Sequence, residues 1–211
     1  MPKAGKPAAK LDLCQVHKDQ YAAARAPVLL DLPPVPYLAI DGAGEPGGQQ
    51  FTARIGGLYG AAYTLKFQSK LAGRDYKVCP LEALWWGPGE GGSFADLPPS
   101  QWQWKLLIRV PDFVGPADLR KAQEALRGKG KPPEFEDVRL ETIEEGRCVQ
   151  MLHDGPYAEE PRTMERMRQL AAAQDLAFRG RHHEIYLSDP RRVAPEKLRT
   201  ILRMPVGPAG G

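Results

Sequence analysis

The sequence has few cysteines, little net charge and no long hydrophobic run. Its three cysteines, Cys14, Cys79 and Cys148, are widely spaced and form no CxxC pair, which argues against a disulfide framework and structural zinc. The net charge is only +3 over 211 residues, and basic and acidic residues are mixed, so we expect no direct binding of nucleic acid. No segment approaches the roughly 18 consecutive apolar residues that a membrane-spanning helix needs, so no membrane partner is expected.

Several familiar signals are also missing. The first residues, MPKAGKPAAK, are basic, but no apolar segment follows them, so we expect a loose tail in a cytoplasmic protein and not a signal peptide. The Gly-rich stretch GPGEGG after Trp86 does not precede a helix, which predicts a flap beside a binding site and not a phosphate loop. His182 and His183 are adjacent on a predicted strand and point to opposite faces. We therefore expect neither a metal site nor a cofactor.

The remaining pattern is that of one large domain with short terminal extensions. We interpret residues 1–34 as an N-terminal tail and arm, residues 35–206 as the domain, and residues 207–211 as a C-terminal tail. Periodicity predicts three helices and seven strands in the domain. The predicted helices are Gln49–Leu71, Gly115–Arg127 and Ala158–Leu176, and the predicted strands are Val35–Ile40, Tyr76–Trp86, Gln101–Val110, Val138–Ile143, Arg147–Leu152, His182–Leu187 and Thr200–Val206.

Two short sequence motifs that occur twice along the chain indicate an internal duplication. LIRVP at 107–111 returns as ILRMP at 201–205, and Asp41–Gly42 returns as Asp154–Gly155. The order helix, strand, strand between these landmarks predicts two β-α-β-β units, at about 35–111 and 138–206. We expect an α+β protein in which both units share one antiparallel sheet, with the helices on one face and a central ligand cleft. Equivalent strands, 81–86 and 182–187, would face each other across the pseudo-symmetry axis.

The strand HHEIY has two chemically different faces. Because side chains alternate along a strand, His182, Glu184 and Tyr186 share one face, and His183 and Ile185 share the other. If the face with Glu184 is covered, the carboxylate is partly desolvated and is a candidate functional group. If that face meets water, Glu184 is an ordinary solvated residue. The sequence alone leaves both alternatives open.

Four segments together resemble a known family. YKVCPLEALWW, QWQWKLLIRVPDF, LHDGPY and GRHHEIYLSDPRR are similar to segments of the stand-alone GyrI-like proteins, relatives of the effector-binding domains of AraC-type and multidrug-responsive regulators. The resemblance covers residues 36–206 and implies a duplicated β-α-β-β fold with an aromatic-lined cleft. It also implies that a glutamate, Glu184 here, projects into the cleft. Some stand-alone members open the cyclopropane of DNA-alkylating natural products, which implies a possible hydrolase activity.

The candidate site residues follow from the aromatic and ionisable side chains near these strands. Glu184 is the candidate base for water attack, and a tyrosine hydroxyl, of Tyr157 or Tyr186, is the candidate donor to the developing oxyanion. The candidate ligand contacts are Trp86, Trp102, Trp104, Tyr186, Tyr59 and His153. Flat aromatic side chains bind flat, hydrophobic ligands by stacking and burial. The alternative is that most of these aromatics belong to the core, Trp85 above all, and that His153 only makes local hydrogen bonds.

Two functions therefore compete. One is a hydrolase that acts on hydrophobic electrophiles such as cyclopropanoid genotoxins, and the other is a non-catalytic module that sequesters or senses aromatic compounds. A weaker third function is protein binding, like that of the gyrase inhibitor for which the family is named. No helix-turn-helix accompanies the domain, so a direct role in transcription is not expected. The sequence leaves the natural ligand and the oligomeric state open.

Overall fold

An antiparallel sheet of nine strands is the framework of the protein. The computed structural model describes residues 10–89 and 94–210. The strands are β1 (Val28–Leu32), β2 (Val35–Ala43), β3 (Glu82–Trp86), β4 (Gln103–Arg109), β5 (Arg139–Ile143), β6 (Gly146–Asp154), β7 (Leu176–Phe178), β8 (His182–Tyr186) and β9 (Arg199–Pro208). They run in the spatial order β1-β6-β9-β8-β3-β4-β2-β5, and β7 pairs with the end of β9.

The helices cover the two faces of this sheet unequally. They are α1 (Leu13–Val16), α2 (Lys18–Tyr21), α3 (Gln49–Leu71), α4 (Pro116–Gly128) and α5 (Glu160–Ala172). The apolar sides of α3 and α4 pack on the half of the sheet that contains β2 and β4, and α5 packs on the half that contains β6 and β9. The short helices α1 and α2 lie on the opposite face, where Tyr21 packs against Ile185. No helix among the described residues has the length and apolarity that crossing a membrane requires.

The predicted duplication is confirmed by the order of the strands. The first unit is β2-α3-β3-β4 and the second is β6-α5-β8-β9, with β7 added after α5. The strand β5, which the sequence assigns to the second unit, instead pairs with β2 of the first. The innermost strands, β3 and β8, pair antiparallel at the centre, with Ala83 opposite Glu184. Leu106 lies opposite Ala83 on one side and Leu202 lies opposite Glu184 on the other. Because paired residues of antiparallel strands share a face, Glu184 lies on the helix-covered face, between the two halves.

Strand boundaries differ from the predictions where glycine, proline or a turn intervenes. The predicted strand 76–86 begins only at Glu82, and the predicted helix 158–176 is shortened by a 3₁₀ turn before it and by β7 after it. The segment that the sequence assigns to the N-terminal arm contributes β1, which pairs with β6 of the second unit. Part of the predicted Gly-rich flap, residues 90–93, lies outside the described residues.

A glycine in α3 marks a close approach of two backbone segments. A Cβ at Gly57 would lie 2.7 Å from the carbonyl carbon of Glu134, so only glycine allows the turn 133–137 to sit on this helix. The neighbouring Gly56 meets nothing within 4 Å. Of these two adjacent glycines, only Gly57 is therefore required by the packing.

A buried ionic network lies on the face of the sheet opposite the large helices. His183 is fully buried between two carboxylates: its Nδ1 lies 3.0 Å from Oε1 of Glu145 and its Nε2 lies 3.0 Å from Oε2 of Glu82. Arg203 donates to Glu145 over 3.2 Å, and the hydroxyl of Tyr21 donates to Glu82 over 2.7 Å. The last contact ties α2 to the middle of the sheet. Because these charges are paired and hydrogen-bonded, their burial is compatible with a stable fold.

Candidate functional site

A large cavity opens on the helix-covered face where the two halves meet. It measures about 1320 Å³ and lies above the central strands β3 and β8, between α3 and α5. One wall is aromatic, the floor carries carboxylates and a histidine, and the rim carries the polar segment 188–191. Cavities that are mostly apolar, with a few converging polar groups, are typical of small-molecule sites.

The aromatic wall is a connected set of rings. Trp85 stacks on Phe51 with ring centroids 5.8 Å apart and on Phe94 at 6.2 Å. Trp102 meets Phe94 edge-on at 5.0 Å, and its Nε1 donates to the carbonyl of Leu97 over 2.9 Å. Each ring is therefore held by its neighbours, and the wall presents a preformed apolar surface to the cavity.

The floor of the cavity brings together Glu184, His182 and Glu160. Glu184 and His182 come from the same face of β8, and each is only 7% exposed. Nε2 of His182 lies 3.1 Å from Oε1 of Glu184 and 3.9 Å from Oε2 of Glu160, the first residue of α5. The helix thus brings a second carboxyl group close to the same ring nitrogen.

Burial and mutual repulsion shape the ionisation of this floor. Burial raises the pKa of Glu160 well above its ordinary value, and the nearby charge of Glu184 raises it further. Oε1 of Glu160 is buried and finds no hydrogen-bond partner among the described residues. Two carboxylates at such short range do not both ionise easily, so this geometry favours a protonated Glu160.

Two tyrosines border the same carboxylates. Burial, followed by the charges of Glu184 and Glu160, raises the pKa of Tyr157 to about 12, and burial and Glu184 raise that of Tyr186 well above its ordinary value. Tyr186 accepts a hydrogen bond from Nε1 of Trp85 over 3.2 Å. Tyr157 is 38% exposed at the cavity and, within residues 10–89 and 94–210, its hydroxyl has no hydrogen-bond partner. Both phenols therefore remain protonated donors at neutral pH.

The same floor has the spacing that a divalent cation would require. One ligand atom each of Glu160, His182 and Glu184 lies within 4.8 Å of the other two. Two carboxylates and one imidazole are a chemically suitable donor set for zinc or manganese. The sequence-based expectation that no metal takes part stays a prediction.

Five of the predicted site residues line this cavity. Glu184, Tyr157, Tyr186, Tyr59 and Trp102 all face it. They come from both halves of the chain, and they meet because β3 and β8 pair at the centre of the sheet. Their roles in binding or catalysis stay predictions.

Trp86, Trp104 and His153 lie outside the cavity. Trp86 is on the other face of β3, where the guanidinium of Arg181 lies 3.7 Å from the ring centroid. His153 is held by Thr163 at 2.9 Å and by the carbonyl of Pro156 at 3.1 Å, in keeping with the local hydrogen bonds considered from the sequence.

Trp104 is completely buried in the core beneath α3. Its indole covers Gly42, where a Cβ would lie 2.0 Å from the ring, and its Nε1 donates to the carbonyl of Gly44 over 3.1 Å. Packing therefore explains the glycine of the repeated Asp–Gly motif in the first half, because only glycine at position 42 leaves room for Trp104.

Several cavity residues were missed by the sequence analysis. Trp85 faces the cavity and Trp86 does not, because the register that pairs Ala83 with Glu184 puts the odd-numbered residues of β3 on the helix side. Alternation along a strand shows which residues share a face, but only the strand pairing shows which of the two faces meets the helices. Glu160 had no local signal, since an acidic residue in the first turn of a helix is common on surfaces.

Comparison with known proteins places this architecture in a family. Residues 113–206 match the model of the GyrI-like small molecule binding domain. The chain also matches an uncharacterized conserved protein from Listeria innocua, with 39% identity, a TM-score of 0.88, and coverage of 94% of this chain and 100% of the other. The chain belongs to the GyrI-like family. The small-molecule-binding character of the domain follows from this membership.

Two further comparisons give one more relative of this GyrI-like protein and one protein that shares only its fold. A crystal structure of a protein described as a hydrolase, also from Listeria innocua, shares 36% identity and a TM-score of 0.85, over 94% of this chain and 100% of that one. The C-terminal domain of EcmrR shares the fold at 10% identity and a TM-score of 0.54, over 86% of this chain and 97% of that one. A search of curated proteins found no significant match.

Proposed function

We propose that this GyrI-like protein binds flat, hydrophobic electrophiles in the aromatic cavity and hydrolyses cyclopropanoid compounds by adding water. The observation that carries the proposal is a buried carboxylate, Glu184, at the floor of a cavity walled by aromatic rings. The description of a 36% identical relative as a hydrolase supports a reaction over simple binding.

The proposed chemistry needs one base and one donor. Glu184 takes a proton from water as the water oxygen attacks the exposed cyclopropane methylene, and the electron pair of the breaking carbon–carbon bond moves into the ring. The hydroxyl of Tyr157 donates a hydrogen bond to the ring oxygen on which negative charge develops. Stacking on Trp102 and Phe94 holds the electrophile in an attack geometry.

Turnover of a duocarmycin-type cyclopropanoid by wild type and Glu184→Gln tests this proposal. Mass spectrometry should show addition of one water with wild type, and the variant should lose about 10²–10⁴-fold in rate because its amide cannot act as a base. Glu196→Gln, an exposed glutamate in the loop before β9, is the matched control and should keep the wild-type rate. Full turnover by Glu184→Gln would refute the role of this carboxylate.

A non-catalytic multidrug-binding, sequestering or sensing module is the second candidate function. The extent of the aromatic wall favours it, because stacked rings bind flat ligands whether or not a reaction follows. Quenching of tryptophan fluorescence by the same cyclopropanoid, with no product detected over the same time, would support this alternative and refute the hydrolase.

A further inference from the structure

The floor of the cavity gathers three side chains with metal-binding atoms from two separate elements. His182 and Glu184 lie two positions apart on one face of β8, and Glu160 is the first residue of α5. All three line the cavity, and one ligand atom of each lies within 4.8 Å of the other two. An ion bound between them would therefore contact both the protein and a molecule in the cavity.

One oxygen on this floor has no hydrogen-bond partner. Oε1 of Glu160 is buried without a partner within residues 10–89 and 94–210, and the whole side chain is only 12% exposed. Leaving a buried polar atom unpaired costs about 1–3 kcal/mol. A cation bound to this carboxyl group would offset that cost. The unpaired oxygen is an observation independent of the spacing, and it points to a cation.

The two carboxyl groups of the floor also lack a permanently charged partner. Among the described residues, no lysine or arginine forms an ion pair with Glu160 or Glu184, and His182 is their shared neighbour. Arg168 lines the same cavity, but its guanidinium is paired with Glu165 over 2.9 Å. Buried carboxylates in proteins are paired with cations or coordinate metals. A divalent cation would balance both charges at once.

We propose that Glu160, His182 and Glu184 bind a zinc ion and leave its fourth position open to the cavity. Zinc takes imidazole nitrogen and carboxylate oxygen at about 2.0–2.2 Å in a tetrahedral arrangement, which separates two ligand atoms by about 3.3–3.6 Å. Nε2 of His182 lies 3.1 Å from Oε1 of Glu184 and 3.9 Å from Oε2 of Glu160. Both distances are within about half an ångström of the tetrahedral range. This inference stands apart from the proposed hydrolysis, and its test uses no turnover.

The donor set favours zinc over other divalent cations. Magnesium and calcium prefer oxygen ligands, whereas this site offers an imidazole nitrogen among its three donors. In the usual order of affinities, zinc binds a nitrogen–oxygen set more tightly than manganese does. Since the chain supplies three ligands, water or an oxygen atom of a bound ligand would fill the fourth position.

The other histidines and cysteines considered from the sequence do not offer a comparable site. His183 faces the opposite side of the sheet, where both of its ring nitrogens contact carboxylates. His153 is held by Thr163 and by the carbonyl of Pro156. None of the three cysteines lines the cavity. In the part of the chain that the structure describes, the floor is the one cluster of three such side chains with metal-binding spacing.

Calorimetric titration of the protein with zinc, after removal of metal by EDTA and buffer exchange, tests the proposal. We expect wild type to bind one zinc ion per chain. Glu160→Gln and His182→Gln should bind it at least about 10–100-fold more weakly, since even the loss of an outer-shell partner of a metal site has that effect. Glu159→Gln, at the exposed neighbouring position, is the matched control and should bind as wild type. A large excess of magnesium should not displace the zinc.

Cobalt in place of zinc tests the ligands in wild type itself, so the result does not depend on how well a variant folds. We expect the visible absorption of four-coordinate cobalt without a thiolate charge-transfer band. Zinc should also raise the thermal unfolding midpoint of wild type by mass action, and raise that of Glu160→Gln less. Absence of zinc binding by wild type would overturn the proposal. Unchanged affinity in the folded variants, or a thiolate band, would equally overturn the assignment of these three ligands.

Discussion

Replacing Glu145 by glutamine should destabilise the protein and flatten the pH dependence of its stability. Glu145 is buried just before β6, where it accepts hydrogen bonds from Nδ1 of His183 and from Arg203. Burial opposes ionisation, but His183 and Arg203 overcome it and hold the pKa of Glu145 at about 2. Burial would also lower the pKa of His183, yet Glu145 and Glu82 raise it to about 9.

These pKa values set the size of the effect. Lowering the pKa of Glu145 from 4.5 to about 2 corresponds to about 3 kcal/mol of folding free energy, because a tenfold change in a proton equilibrium is about 1.4 kcal/mol. The raised pKa of His183 and the lowered pKa of Glu145 arise from the same ion pair, so the free energies that correspond to the two shifts are not added. We expect Glu145→Gln to lower the free energy of unfolding by about 3 kcal/mol, the cost of leaving buried charges partly unpaired.

The direction of the pH dependence follows from the two shifts. The contribution of Glu145 is present above its unfolded pKa of about 4.5 and is lost as the pH falls through about 2. The contribution of His183 is complete below its unfolded pKa of about 6.5 and is lost as the pH rises through about 9. Wild type and variant should therefore differ most between about pH 4.5 and 6.5, and the difference should shrink toward alkaline pH, where the pairing of Glu145 with Arg203 remains.

Urea unfolding, followed by tryptophan fluorescence at several pH values, measures this difference. Glu144→Gln, at the exposed neighbouring position, is the control and should change the free energy of unfolding by less than about 0.5 kcal/mol. A Glu145→Gln variant as stable as wild type at pH 6 would refute the reasoning. So would a loss of stability that is the same at pH 6 and pH 9, since the ion pair would then not depend on the charge of His183.

Two other predictions concern packing and binding. Gly57→Ala should destabilise the protein by about 1–3 kcal/mol, because the new Cβ would meet backbone atoms of Glu134. Gly56→Ala should be neutral or stabilising, because nothing lies within 4 Å of a Cβ at that position. Thermal melts in which Gly56→Ala is the less stable variant would contradict the close approach at Gly57. Trp102→Ala should weaken binding of a flat aromatic probe about tenfold, and Trp86→Ala should leave it unchanged, as fluorescence titration can show. Equal losses in both tryptophan variants would move the binding surface away from the cavity.

Sequence patterns were sufficient for the architecture and for the centre of the candidate site. The repeated motifs at 107–111 and 201–205 predicted two similar units, and the shared sheet follows from them. Alternation along HHEIY was enough to put Glu184 and Tyr186 on one face and His183 on the other, because a strand has a period of two whatever surrounds it. The quoted segments were also enough to indicate the family.

Tertiary structure decided which face of each strand meets the helices and which distant groups meet at the cavity. Trp85 and Trp86 differ by one position, and only the pairing of Ala83 with Glu184 decides that Trp85 faces the cavity. Glu160 approaches His182 because α5 crosses the second half of the sheet at that point, a contact between residues 22 positions apart in sequence that no local pattern encodes. Periodicity fixes relationships within one element, whereas packing between elements depends on register and crossing, which the sequence reveals only through the whole fold.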